Sequence, residues 1–183
     1  MRGWGFIRRS GLAGVFAGVM FGVEGVILLF EPRADGWYYV AYSLFVAALL
    51  LTLVVLAGLH LWHRGRDGWL GRAGFYVSAL GLSCLSVTAV VRIASGREIF
   101  DVLFALGFLL AIVGFLLFGV AILKTRLLPA WSAPLPFVGA FGAILLQDKH
   151  GAGVLMGVVW ALVGTSFRRR LEQEAVQEAD TNG

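Results

Sequence analysis

Inside the run GVFAGVMFGVEGVILLF, residues 14–30, one carboxylate, Glu24, interrupts an otherwise apolar stretch. An acid in such a stretch can pair with a base, pass a proton, or remain uncharged. A second ionisable group stands in GFYVSALGLSCLSVTAVVR, where Arg92 closes a line formed by Gly74, Ser78, Gly81, Leu85 and Thr88. These residues recur every three or four positions, so they share one helix face, and a small, polar face of this kind is expected to meet protein. Glu24 lies about six residues inside the end of its run and Arg92 about four inside the end of its own, which at ~1.5 Å per residue gives similar depths. Tyr42, in the run between them, falls at that depth too and is placed to donate a hydrogen bond.

A lone charge near the middle of a membrane helix costs roughly 2.5–3.5 kcal/mol, which is why such groups face a bundle interior or water. Arg92 has a long stem along which it can reach outward, whereas Glu24 has a short one. The expectation is a Glu24–Arg92 pair with Tyr42 and Thr88 beside it. Three readings of the cluster stay open: an ion pair that pins two helices, a small polar cavity open to the outside that binds a solute or relays a proton, and a protonated Glu24. Other polar groups carry less. His60 and His63 in LHLWH share a helix face at a spacing that can hold a metal, but only Asp67 is near them in sequence and His150 belongs to the opposite side. No metal, haem or other cofactor is therefore expected. A nucleophile with a base, or a pair of carboxylates, is absent from the sequence pattern, which argues against an enzyme.

The elements that position these groups follow from composition. With 59% hydrophobic and 14% charged residues, and a mean hydropathy of +0.85, the chain cannot cover a soluble globule with polar side chains. The expected fold is an all-α, polytopic transmembrane helix bundle. Taking about 17–25 apolar residues per crossing, six spans fall at about 11–30, 38–62, 73–95, 101–123, 131–147 and 152–168 of a single domain, 1–168. The last two are short, so the alternative is four spans followed by a C-terminal re-entrant hairpin around QDKHG. Residues 169–183 read as a polar tail, disordered beyond a turn or two of helix.

Orientation rests on the fifteen Lys and Arg residues. Arg2, Arg8, Arg9, Arg64, Arg66, Arg72, Lys124, Arg126, Arg168, Arg169 and Arg170 fall on one side; Arg33, Arg92, Arg97 and Lys149 fall on the other. Cationic loops stay in the cytoplasm, so both termini are expected there. The same bias accounts for the basic composition without nucleic acid, since the charge sits where it meets lipid headgroups. Trp4, Trp37, Trp62, Trp69 and Trp131 fall at span ends as an aromatic belt, with Trp160 alone inside a span. Gly14, Gly18 and Gly22 in the first span, and Gly153 and Gly157 in the last, form small-residue ridges suited to close helix packing within the chain. The fourth span is bulky nearly all round and reads as the more lipid-exposed one. No inverted repeat relates the two halves.

The run GVAILKTRLLPAWSAPLPFVGAFGAILL followed by GVVWALVGTSFRRR resembles uncharacterised multi-span membrane proteins of high-GC bacteria, in which a basic loop with Leu-Pro-x-Trp precedes two short helices. It covers about the last 60 residues, and what it implies is an inner-membrane setting and a six-span bundle. Two functional classes fit. A structural or regulatory membrane protein, packing with itself or with another membrane protein in the lipid bilayer, requires only the glycine faces and the tail, and is the favoured reading. A small-solute or proton permease requires a polar path, for which Glu24, Tyr42, Ser78, Ser83, Ser86, Thr88 and Arg92 are the candidates.

Overall fold

The computed structural model describes residues 4–30, 35–63, 68–95, 101–126, 128–146 and 151–181. They form six helices: α1 (Trp4–Phe30), α2 (Asp35–His63), α3 (Gly68–Ser95), α4 (Asp101–Thr125), α5 (Leu135–Leu146) and α6 (Ala152–Thr181). No strand occurs among the described residues. α1 to α4 are each long and apolar enough to cross a membrane. Their lipid-facing sides carry Phe16, Val19, Leu50, Leu80, Val87, Leu109 and Leu116 exposed, as expected of helices whose solvent is hydrocarbon. The chain is a membrane-embedded helical bundle.

The helices pack in cyclic order, each on its chain neighbour and α6 back on α1. Successive helices run antiparallel, so one end of the bundle, here called the terminal face, holds the start of α1 and the far end of α6. Gly11 of α1 meets Arg168 of α6 there. Arg8, Arg9, Arg72, Lys124, Arg126 and Arg168–Arg170 all lie towards this face, and Arg92 is the one described cation towards the opposite, distal face. The interior of the ring is filled by Phe21, Leu49, Leu56, Leu82, Leu85, Phe115, Trp160 and Val163.

Two pairs of helices approach with their backbones in contact. A Cβ placed on Gly14 would stand 2.7 Å from the Gly164 Cα, and one on Gly18 would stand 2.6 Å from the Gly157 carbonyl oxygen. The glycines of α1 and α6 thus interlock inside one chain, where lipid offers no hydrophobic drive and close contact must do the work. α3 and α4 are joined similarly, through Gly74 on Phe118, Gly81 on Ala111 and Gly114 on Ser78. α4 was read from sequence as the more lipid-exposed span, yet its buried share, 44%, equals that of α1 and exceeds the 39% of α2 and α3. The reason is that Gly107, Gly114 and Gly119, sparse among bulky residues, all fall on its contact faces.

Differences from the sequence reading concentrate at the C-terminal third. The span expected at 131–147 is helical only from Leu135, and its 12 residues extend ~18 Å, short of a ~30 Å hydrocarbon core. Arg126 ends α4 in the left-handed region with φ 51°, and Pro129 stops the helix from resuming. Residues 128–134 turn back into the bundle, with Leu128, Ser132 and Ala133 buried. Irregular backbone at membrane depth survives only when shielded by protein. Here Ser132 donates from both its N–H and its hydroxyl to the Pro129 carbonyl, at 2.9 and 2.8 Å. α6 continues unbroken to Thr181, past Arg168–Arg170, where the sequence reading places a disordered tail. Leu171 is buried, Arg168 bonds Glu172 one turn on at 3.1 Å, and the Trp62 indole donates to the Glu174 carboxylate at 3.1 Å.

Candidate functional site

α1 carries Glu24 into the interior of the ring, 5% exposed. The helix seam explains how an acid fits there. Its neighbour Gly25 lies directly on α6, and a Cβ on Gly153 would overlap the Glu24 Oε2. The missing side chain at 153 is therefore the space that the carboxylate occupies. Gly153 was read from sequence as a packing glycine; it is also part of the acid's wall.

In front of Glu24 opens a vestibule of about 360 Å³, lined by Tyr42 and Phe45 of α2, Phe104, Ala105 and Phe108 of α4, and Ala143 and Ile144 of α5. Of these, Ala105 and Ile144 are exposed, which places the mouth between α4 and α5 in the distal half. Behind Glu24 lies an axial void of about 40 Å³, to which all six helices contribute, among them Phe21, Leu49, Leu82, Ala140 and Met156. The two spaces share Glu24, Phe45, Phe108 and Ala143. The inner one has room for a few water molecules at most. Below it Phe115 and Trp160 meet edge to face at 5.6 Å, both fully buried, and close the interior towards the terminal face.

Arg92 donates to the Tyr42 hydroxyl at 2.8 Å. Its guanidinium also lies over two rings of the vestibule, 5.7 Å from the centroid of Tyr42 and 5.6 Å from that of Phe104. Cation–π contacts of this kind contribute about 0.5–2 kcal/mol, more when desolvated. Of the four candidates, Glu24 and Tyr42 line the vestibule, and Arg92 is docked on its wall through the Tyr42 hydroxyl and the rings of Tyr42 and Phe104. Thr88 is not a lining residue. Its hydroxyl donates to the Cys84 carbonyl of its own helix at 2.8 Å, as Ser86 does to Leu82. Such back-bonding is the usual fate of a helix hydroxyl in an apolar medium. Ser83 is exposed, and Ser78 is buried against Gly114 of α4. The longer polar path considered from sequence therefore contracts to Glu24, Tyr42 and Arg92.

Sequence reading missed the aromatic walls, Phe45, Phe104 and Phe108, because in an apolar helix a phenylalanine carries no signal of its own. The packing glycines Gly14, Gly18, Gly22, Gly153 and Gly157 all lie at the α1–α6 seam; Gly22 meets it with its backbone, since a Cβ on Gly157 would stand 2.7 Å from the Gly22 nitrogen, while a Cβ on Gly22 itself would meet nothing within 4 Å. Gly25 joins them: a Cβ there would stand 2.3 Å from the Val154 nitrogen. His60 stacks on Phe75, 4.3 Å between centroids and nearly parallel. The side chain of His63, and Asp67 and His150, lie outside the described residues, as do the charges of loops 31–34, 64–67, 96–100 and 147–150. No group of three or more His, Cys, Asp or Glu side chains suited to a metal occurs among the described residues. No family model, curated protein or solved structure matches the chain.

Proposed function

We propose that the protein binds a small amphiphilic cation from the bilayer, as a solute-handling membrane protein whose vestibule takes the apolar body of the ligand and whose Glu24 meets its positive charge. One observation carries this reading: Glu24, the one buried carboxylate among the described residues, stands at the back of a ~360 Å³ cavity walled by aromatic rings. Aromatic faces and a carboxylate are together the chemistry that selects a cation with an apolar body. The mouth between two lipid-facing helices suits a ligand that first partitions into the membrane. In the empty state Arg92, docked on Tyr42 and Phe104, serves as the resident cation and as the counter-charge of Glu24; an incoming ligand displaces it. The plug at Phe115 and Trp160 makes this an outward-facing, closed state. The terminal face is cytoplasmic in this proposal, since cationic ends are retained there, and the membrane is a bacterial inner membrane.

The test uses benzyltrimethylammonium and its uncharged isostere neopentylbenzene as probes, with binding to the purified protein followed by titration calorimetry. The cation is expected to bind and the isostere to bind at least tenfold more weakly, about 1.4 kcal/mol. Glu24→Gln should abolish that preference. Arg92→Gln should strengthen cation binding, because it removes the competing guanidinium. If both variants merely lower thermal stability and the wild type does not distinguish the probes, the pair is a structural pin and the packing reading, a membrane protein acting through its helix faces, stands instead.

A further inference from the structure

At the terminal face, away from the vestibule, α1 and α6 enclose a groove of about 450 Å³. It is lined by Gly5 and Arg8 of α1 and by Arg168, Leu171, Glu172, Ala175 and Val176 of α6. Two features set it apart from an ordinary charged helix end. First, its lining is amphipathic: two arginines stand beside Ala175 and Val176, the latter 60% exposed. Second, Arg168 is held in place. Its stem crosses Gly11, where a Cβ would stand 2.7 Å from the Arg168 Cγ, and its guanidinium bonds Glu172 at 3.1 Å. A guanidinium has five donors, so that bond leaves others for an anion.

Depth identifies the occupant. The Trp62 indole bonds Glu174, one turn from Leu171 and beside Ala175, and a tryptophan at a span end marks the headgroup level. The groove therefore opens where phosphates and the first carbons of acyl chains meet. We propose that it binds an anionic phospholipid, with the phosphodiester between Arg8 and Arg168 and the glycerol and upper acyl carbons along Leu171, Ala175 and Val176. Glu172 opposes the anion, and the site has a net positive charge only because Arg8 joins Arg168. Both arginines are thus required. Each contributes about fivefold in affinity, on the order of twentyfold together.

The full-length protein, released from nanodiscs containing equal phosphatidylglycerol and phosphatidylcholine, is examined by native mass spectrometry. One phosphatidylglycerol is expected to remain bound in preference to phosphatidylcholine. Arg8→Gln with Arg168→Gln should reduce its retention on the order of twentyfold, whereas Arg169→Gln with Arg170→Gln, an equal change of charge on the same face, should leave it within about twofold. Arg8→Gln alone, at an exposed position of α1, carries the same test at about fivefold if the double variant does not fold. Equal losses in the two double variants would mean diffuse attraction to a basic surface and overturn the site. Displacement of the lipid by millimolar glycerol phosphate would mean that a free anion is the ligand, and would overturn it too.

Discussion

Alanine at Gly25 and alanine at Gly22 add the same methyl group to the same helix, three residues apart, and the structure assigns them opposite outcomes. At Gly25 the new Cβ would lie 2.3 Å from the Val154 nitrogen, 2.6 Å from the Gly153 carbonyl carbon and 2.8 Å from the Gly153 Cα. All three are backbone atoms that no rotamer change can move. Reaching the 3.4 Å of ordinary contact requires α1 and α6 to part by about 1.1 Å. An opening of that size forfeits a quarter to a half of each dispersion contact along the seam, and overpacking of this kind costs about 1–3 kcal/mol. At Gly22 the methyl group meets nothing within 4 Å, so the remaining effect is the helix preference of alanine, a gain of up to about 1 kcal/mol. The two variants should therefore differ by roughly 1–4 kcal/mol, or on the order of 2–16 °C in Tm at about 2–4 °C per kcal/mol for a chain of this size. Thermal unfolding in one detergent, followed by circular dichroism, measures both. Equal Tm values, or a Gly25→Ala variant more stable than Gly22→Ala, would refute the close α1–α6 contact on which the position of Glu24 depends.

Two further outcomes follow from single bonds. Tyr42→Phe keeps the ring beneath Arg92 and removes the hydroxyl that accepts from it at 2.8 Å, and should lower stability by about 1–2 kcal/mol in the same unfolding measurement; no change would show that the hydroxyl does not hold the guanidinium. Trp62→Phe keeps an aromatic ring against Phe167 and removes the donor to Glu174, so hydrogen exchange of the amides in 172–181 should rise severalfold, for about 1 kcal/mol of lost tethering, while Glu174→Gln, which retains an acceptor oxygen, should change it much less.

The long helices were legible because hydropathy over twenty residues is a property of the solvent, and it fixes α1 to α4 without reference to partners. Their ends were less so. α1 begins at Trp4 rather than near residue 11, since the turn WGFIRR is polar enough to leave an apolar window and yet helical. The C-terminal third resisted for two reasons. Pro129 and Pro134 delay α5, whose first turn holds Pro136, and what stabilises the tail as a helix is tertiary: the buried Leu171 and the Trp62–Glu174 bond. Matching depths put Tyr42 and Arg92 at one level, because antiparallel neighbours keep residues at equal depth in register, and there Tyr42 accepts from Arg92 where the sequence had cast it as a donor. It could not place Thr88, whose hydroxyl has an acceptor on its own helix at any depth.

Gly25 was missed through a choice of period, and the same period explains where the cavity lies. Four-residue spacing extends Gly14 and Gly18 to Gly22, whose backbone does meet Gly157, but the glycines of α1 whose Cβ would run into α6 are 11, 14, 18 and 25, with the buried Phe21 between. Steps of three and four that sum to seven are the spacing of a left-handed seam between helices. Gly74, Ser78, Gly81 and Leu85 of α3 follow it, as do Gly107, Ala111, Gly114 and Phe118 of α4. Where both partners carry small residues at these positions, backbones touch and no space remains. The α4–α5 contact has no such seam near the distal face: Phe104 and Phe108 stand opposite Ala143 and Ile144 around open volume. Rings hold the two helices apart there, while the glycine seam next to Glu24 holds α1 and α6 together. The acid is thus fixed beside a seam where backbones touch and faces the open volume between α4 and α5, the arrangement that the proposed ligand site requires if the ligand is to enter without moving the group that recognises it.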